Sequence, residues 1–272
     1  FEYVIYFMNE KEKVETSKGS TVKTSTKEEE SWGEFFKTIF YAFLIAISFR
    51  TFVLQPFSIP SESMLKNLMV GDFLLVSKGS YGYTKHSFPF SVPLFSGRIF
   101  GSEVERGDVA VFRLPRDPDT YYIKRMIGLP GDKIQTIKGE LHLNGVKVPR
   151  KRLEDYVRTN EFGFEEKFER YEETMPNGKT YITLDKGYTP NKADDSDVFF
   201  VPEGHYFAMG DNRDNSLDSR WSKNIGVGYV PDENVIGKAK WITLSFDNKS
   251  EIWEFWKWFP AERRERFFSN IN

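Results

Sequence analysis

The 272-residue chain contains no cysteine. That absence excludes disulfides, thiolate nucleophiles and cysteine-ligated zinc or iron–sulfur sites together. It leaves the redox compartment open, because a cysteine-free protein suits either side of a membrane. Histidine is scarce as well: His86, His142 and His205 lie far apart, and none sits in a metal-ligand spacing such as HExxH. No metal or other cofactor is implied, and a Ser–His–Asp triad has no positive support. Charge imbalance is also missing. The formal net charge is −2, so no global field draws the chain to a phosphate backbone, and nucleic acid is not an expected partner. What is plentiful is aromatic surface, 17% of residues with 26 Phe and 6 Trp. That is ample for one sizeable core domain with a smaller excursion.

The first residue is Phe and the first Met is Met8; residues 1–7 are compatible with lying upstream of a start, and nothing rests on them. Residues 9–31 are rich in Lys, Glu, Ser and Thr with almost no large apolar side chains. Such a stretch cannot bury enough surface to offset its ordering entropy, so residues 1–34 are expected to form a disordered tail. The character then changes. From Phe35 to Phe57 the chain reads FFKTIFYAFLIAISFRTFVLQPF, with only Lys37 and Arg50 charged. A helix needs roughly 20 residues to cross ~30 Å of hydrocarbon. Residues 35–55 are therefore expected to span a membrane once, with Lys37 and Arg50 snorkelling to the two interfaces. A buried core helix competes, because the uncharged run Thr38–Phe49 is only 12 residues long. A cleaved signal peptide fits less well, since the run starts late and no A-x-A-like site follows. Lys18, Lys23, Lys27 and Lys37 precede the run, which favours an N-terminus on the inner side.

After Gln55-Pro56 the pattern is β. Short runs rich in Val, Ile, Phe and Tyr alternate with Gly, Pro and Asn, as in FLLVSK (73–78), DVAVFRLP (108–115) and YYIKRMIGLPGD (121–132). In LHLNGVKV (141–148), Asn144-Gly145 predicts a tight hairpin. Pro176-Asn177-Gly178 before KTYITL predicts a second. Residues 150–175 are charged with scattered aromatics and read as peripheral. The C-terminal stretch 251–272 combines Trp253, Phe255, Trp256, Trp258 and Phe259 with Arg263, Arg264 and Arg266. Such a segment suits a bilayer headgroup layer, or packs its aromatics on the domain.

Three short segments carry candidate chemistry. Pro60-Ser61-Glu62-Ser63-Met64 places a Ser-x-Ser pair just beyond the apolar run; alone, such a pair usually means a turn or a cap. Lys124 sits in YYIKRMIG among large apolar residues. A lysine in a strand usually marks an exposed edge, but one buried against aromatics has its pKa lowered and can act as a general base toward a serine hydroxyl. Finally, residues 210–220, GDNRDNSLDSR, hold one apolar side chain, Leu217, within a dense set of donors and acceptors. That density suits a hydrogen-bonded buttress fixing backbone geometry beside a site.

Taken in order, the apolar run, PFSIPSESM (56–64), RGDVAVF (106–112), YIKRMIGLPGD (122–132) and GDNRDNSLDSR (210–220) resemble the type I signal peptidases over most of the chain after residue 35. One departure is visible. The family usually follows Ser-Met with x-Pro-Thr-Leu, whereas this chain has Leu65-Lys66-Asn67-Leu68, without the stiffening proline. The resemblance implies Ser63 as nucleophile and Lys124 as general base, with the Ser63 N–H and the Ser61 hydroxyl as oxyanion hole. It implies that Ser216 orients Lys124 by a hydrogen bond, that Asp218 and Arg220 pair to hold their loop, and that Phe112, Tyr122 and Met209 keep the lysine dry. Phe57, Ile59, Leu68, Leu74, Val111, Tyr122 and Ile123 would form shallow apolar pockets admitting small side chains, beside an exposed rim that rests on a bilayer. The implied fold is mainly β, with coiled antiparallel sheets from 56–132 and 204–250, an inserted β-rich lobe at 133–203, and the aromatic, basic segment 251–272. The implied activity is removal of signal peptides from exported pre-proteins at the outer face of a bacterial cytoplasmic membrane, with signal peptides and the lipid bilayer as partners. Two alternatives stay open: a Ser–Lys protease maturing one secretion or conjugation component, and a catalytically dead membrane-tethered binding protein. A self-cleaving repressor uses similar chemistry, but the apolar span and the missing DNA-binding segment argue against it.

Overall fold

The computed structural model describes residues 32–88, 95–160, 163–246 and 263–271. The polar stretch 9–31 and the aromatic run Trp253–Phe259 lie outside the described residues. Trp32, Gly33 and Glu34, expected in the tail, are already helical.

Helix α1 spans Trp32–Phe52, with Glu34 in its first turn and Arg50 in its last, both favourable to the helix dipole. Its 21 residues make it about 31 Å long. It is long and apolar enough to cross a membrane, and only 6% of its most apolar window is buried, which sets the core-helix reading aside. The helix stops before residue 55. Pro56 cannot continue it, and Leu54–Ser58 instead forms strand β1, with Gln55 buried in the sheet.

From Phe43 onward the described residues pack as one compact unit, and residues 32–42 of the helix belong to another. Strand β1 pairs antiparallel with β2 (Asp72–Ser77). Strands β3 (Val109–Leu114) and β4 (Asp117–Gly128) form a long hairpin. Next come β5 (Lys133–Ile137), β6 (Glu140–Leu143) and β7 (Val146–Lys147). Asn144 (φ 55°) and Gly145 (φ 83°) turn β6 into β7, both left-handed as a two-residue hairpin of this hand requires. Strands β8 (Arg150–Arg152), β9 (Tyr156–Thr159) and β10 (Glu165–Thr174) follow. The second expected hairpin joins β10 to β11 (Thr180–Asp185) through Pro176–Gly178. The chain then forms β12 (Phe199–Phe200) and returns through β13 (His205–Met209), β14 (Val230–Pro231), β15 (Val235–Ser245) and β16 (Ser269–Asn270).

The main sheet runs β1-β2-β15-β3-β4-β13-β14, with β16 added to β15. Two smaller antiparallel sheets, β11-β10-β8 with β9 and β12-β5-β6-β7, come from the middle of the chain. The class is mainly β, as the strand pattern indicates. Residues 150–175 are less peripheral than their charge suggests: Phe168, Glu173 and Met175 are buried.

Alternation along β3 and β4 puts two different cores on the two faces of the main sheet. Val109 and Val111 join Ile59, Leu68 and Leu74 on one side. Ala110, Phe112 and Leu114 join Met126, Ala208 and Val230 on the other. Burying each large side chain stabilises the fold by about 1.5–3 kcal/mol. Lys124 pairs with Ala110 across the hairpin, so the small side chain leaves room for a lysine within an otherwise apolar layer. At the far end, Arg266 donates to Asp72 at 2.5 Å and to the Asn67 carbonyl at 2.8 Å, while Arg263 donates to the Val70 carbonyl. These two arginines of the C-terminal segment pack on the domain.

Candidate active site

Ser63 lies in the turn after β1 and Lys124 in β4, and the fold brings them together. The Lys124 Nζ donates to Ser63 Oγ at 2.6 Å and to its neighbour's carbonyl, Ile123, at 3.1 Å. Lys124 is 3% exposed and Ser63 7%. Burial pulls the lysine pKa down to about 8, while the nearby Asp218 and Asp211 carboxylates pull it back up. About a tenth of it is thus unprotonated at pH 7 and about half at pH 8, the form that can accept a proton. The ammonium position sits 5.2 Å from the Tyr122 ring centre, and Tyr122 in turn packs on Phe112. Met209 belongs to a different cluster, with Ile127 and Phe207.

The turn carrying Ser63 is held from the backbone. The Ser63 carbonyl accepts from the Asn212 N–H at 3.0 Å, the Glu62 carbonyl accepts from the Asn212 side chain at 3.1 Å, and the Met64 carbonyl accepts from Leu68 N–H at 2.7 Å. The Ser63 N–H makes no hydrogen bond to another described residue. Ser61 Oγ lies 3.4 Å from Ser63 Oγ. A hydroxyl and a free N–H beside one nucleophilic oxygen are the donors an oxyanion needs.

The loop 210–220 is buried rather than solvated, despite its polarity. Asp218 accepts from Arg220 Nε and Nη2, both at 2.9 Å, and from the Gly210 N–H at 2.9 Å. Burial alone would raise the Asp218 pKa, but Arg220 and the Gly210 N–H hold it below the usual carboxylate range. Arg213 grips Glu173 of β10 through both oxygens, at 2.9 and 2.5 Å. Ser216 departs from expectation. Its hydroxyl is buried without a hydrogen bond, so the bond to Lys124 implied by the resemblance is not formed. It leans on the Asp218 carboxylate, close enough to lower that pKa but outside hydrogen-bonding geometry, and it packs against Gly210.

Gly210 shows why that position takes no side chain. A Cβ there would meet Ser216 Oγ at 2.3 Å, Ser216 Cβ at 2.5 Å and the Ser63 carbonyl at 2.6 Å. Gly210→Ala is expected to displace the Ser63 turn and lower kcat by about 100-fold, the scale of an ångström's misplacement of a reacting group. Steady-state kinetics with a parallel melting curve checks this; wild-type kcat in the variant would show that Gly210 has no such role.

Several contributors escape a reading by motif. Arg125, beside Lys124 but on the opposite face, is 1% exposed and binds Asp211 with two bonds of 2.8 Å. Asn67, one of the two departures after the nucleophile, donates to Asp211 at 2.6 Å and to the Ile182 carbonyl at 2.7 Å. The turn that lacks the family's proline is thus tied down by a side chain. Glu62, between the two serines, forms a bidentate pair with Arg158 of β9 at 2.6 and 2.7 Å. Arg125 lies within the quoted YIKRMIGLPGD and Asn67 within the named departure after Met64, each without a role read for it; Arg158 carried no signal, because its partner lies 96 residues away. Of the expected pocket residues, Phe57, Ile59, Leu68, Leu74, Val111 and Ile123 gather in one cluster, where only Phe57 and Ile123 are partly exposed. Tyr122 packs on the other core.

A serine hydroxyl bonded to a buried lysine, buttressed by this loop, has close sequence counterparts. Residues 32–244 match the family model described as signal peptidase, peptidase S26. The chain belongs to the peptidase S26 signal peptidase family. It is 40% identical to signal peptidase I of Rickettsia felis over 273 residues, covering 94% of this chain and 97% of that one. Identity to the Rickettsia prowazekii signal peptidase I is 39% over 252 residues, 87% of this chain and 92% of the relative. A solved signal peptidase I from Enterococcus faecalis aligns at 30% identity over 50% of this chain and 97% of its own, with a TM-score of 0.30. Membership makes this S26 chain a serine endopeptidase with a signal peptidase function.

Proposed function

We propose that the protein is a single-span membrane endopeptidase that removes signal peptides from exported pre-proteins through a Ser63–Lys124 dyad. The observation that carries the reading is the 2.6 Å contact between Lys124 Nζ and Ser63 Oγ in a buried setting. Neutral Lys124 takes the Ser63 proton as Oγ attacks the scissile carbonyl. The Ser63 N–H and the Ser61 hydroxyl receive the oxyanion, each such donor contributing about 10²–10³ in rate. The Lys124 ammonium then gives its proton to the leaving amine, and neutral again it activates the water that releases the acyl group. Asp218, Arg220 and Ser216 hold the loop that fixes the Ser63 carbonyl.

Partly exposed Phe57 and Ile123 face the substrate, with buried Ile59, Leu68, Leu74 and Val111 as a floor and Tyr122 at the lysine. A floor of packed side chains leaves shallow depressions, which suit small residues before the cleaved bond. Helix α1 supports the anchor, and the lysines before it favour an inner N-terminus, leaving the catalytic domain on the outer side of a bacterial cytoplasmic membrane. Exposed Phe52 and Val53 at the helix exit, and Tyr121 packed on Phe57, supply an apolar rim beside the bilayer.

The test is incubation of the full chain in detergent with a pre-protein bearing an A-x-A-type signal peptide. Wild type is expected to release mature protein, and Ser63→Ala to release none. Cleavage by Ser63→Ala, or a folded wild type inactive on every pre-protein of a panel, would overturn the reading; activity on a single member would shift it to a dedicated maturation protease.

A further inference from the structure

A cavity of about 450 Å³ sits at the foot of α1, apart from the dyad. It is lined by Phe43, Ile47 and Arg50 of the helix together with Lys78 and Arg113, whose guanidinium lies 4.6 Å from the ring centre of Tyr121 in the same wall. Phe43, Ile47 and Arg50 follow one another at spacings of four and three, so they share one helix face, and Arg50 lies about 10 Å further along the axis than Phe43. Phe43 is 59% exposed and Ile47 37%. The wall contains no carboxylate among the described residues.

The cations there are poorly compensated. Lys78 is 3% exposed and makes one hydrogen bond, to the Ser87 carbonyl at 2.7 Å. Burial, followed by the charges of Arg50 and Arg113, pulls its pKa down to about 8. Arg113 is nine-tenths buried, and its Nε has no hydrogen-bond partner. Its Nη1 donates to the Pro118 carbonyl, and its nearest carboxylate, Asp119, is fully exposed at 4.0 Å. Arg50 suits the helix C-terminus by its charge but makes no ion pair among the described residues. Two desolvated cations, Lys78 and Arg113, beside the exposed Arg50 and without an anion are costly, and one bound anion would offset that cost.

We propose that this cavity binds the phosphate of an anionic phospholipid headgroup between Arg50, Lys78 and Arg113, with the acyl chains running along Phe43 and Ile47. The assignment rests on the membrane-anchored reading above. A lipid is favoured over a free anion because apolar Phe43 and Ile47 and cationic Arg50 follow each other along α1, which among the described residues is the helix fit to span a bilayer, the sequence in which a lipid presents tail and headgroup.

The test uses the full chain in neutral detergent, titrated with short-chain phosphatidylglycerol, short-chain phosphatidylcholine or inorganic phosphate, with bound molecules counted by native mass spectrometry. One phosphatidylglycerol per chain is expected, preferred over phosphatidylcholine by roughly tenfold or more, since its headgroup leaves a net negative charge for the three cations. Arg50→Gln and Arg113→Gln are each expected to lose about tenfold of that affinity while retaining cleavage activity in detergent. Arg50 is exposed, so its variant has no burial to disturb. Equal retention of the two lipids, or unchanged affinity in both variants, overturns the site. Inorganic phosphate binding as tightly as phosphatidylglycerol overturns the lipid assignment. Flotation with phosphatidylcholine vesicles separates the two claims: a chain that floats yet shows no headgroup preference refutes the site and leaves the anchor, and a chain that does not float refutes both.

Discussion

Lys124→Met is expected to abolish cleavage and at the same time raise the melting temperature. The rate should fall by roughly 10⁴-fold or more, because a general base and its nucleophile act as a unit. Stability should move the other way. Folding lowers the Lys124 pKa from 10.5 to about 8, so between those values the unfolded chain binds more protons and stability rises with pH. At pH 7, below both values, the folded protein carries the full cost of a buried ammonium, about 3 kcal/mol on the scale of that shift. Methionine fills a similar volume without charge. The lost contact to Ser63 gives back about 1 kcal/mol, leaving a rise of roughly 5 °C. Cleavage assays and thermal unfolding in the same detergent measure both. A variant that is inactive and less stable would mean that Lys124 is structural, and an active one that it is not the base.

Asp211→Ala should have the largest effect on stability. The Arg125–Asp211 pair is 1% exposed on both sides. Removing the carboxylate takes the ion-pair partner from a buried guanidinium, whose other contacts include the Gly107 carbonyl at 2.7 Å and the Tyr181 ring at 4.1 Å. Breaking such a pair costs about 3–5 kcal/mol, a fall of roughly 10 °C in a domain of this size. Arg125→Met in the Asp211→Ala background should recover most of the loss, since an apolar replacement of both charges is often neutral. Activity should not recover with it, because Asn67 has lost one of its two acceptors and the Ser63 turn one of its ties. A double-mutant cycle on melting and on kcat checks both statements. Recovery of both together would show that Asp211 serves stability alone.

The contact between Ser63 and Lys124 was legible through the order of the motifs and not through residue type alone, since Lys133, Lys147, Lys151, Lys167, Lys238 and Lys240 also lie in strands. The helix, the β class and both hairpins were legible for local reasons: one long apolar run, alternation, and Asn-Gly or Pro-Asn-Gly turns. The helix boundary was not. Val53 and Leu54 read as continuing the span, and only pairing of Leu54 with Ser77 across the sheet removes them from it. The buried polar framework was not legible either. Glu62–Arg158 and Arg213–Glu173 join residues 96 and 40 positions apart, and charge in a sequence reads as surface until a partner is in place. Ser216 shows the opposite case: its motif was plain, yet its buried hydroxyl makes no hydrogen bond.

The pH dependence of kcat/KM on a cleavable substrate, at constant ionic strength, tests the dyad most directly. Neutral Lys124 is the reactive form, so the rate should climb about tenfold per pH unit on the acid side and level off above about 8. A limb centred near 6.5, the histidine range, or a rate flat through pH 8, would contradict the assignment of Lys124 as the base.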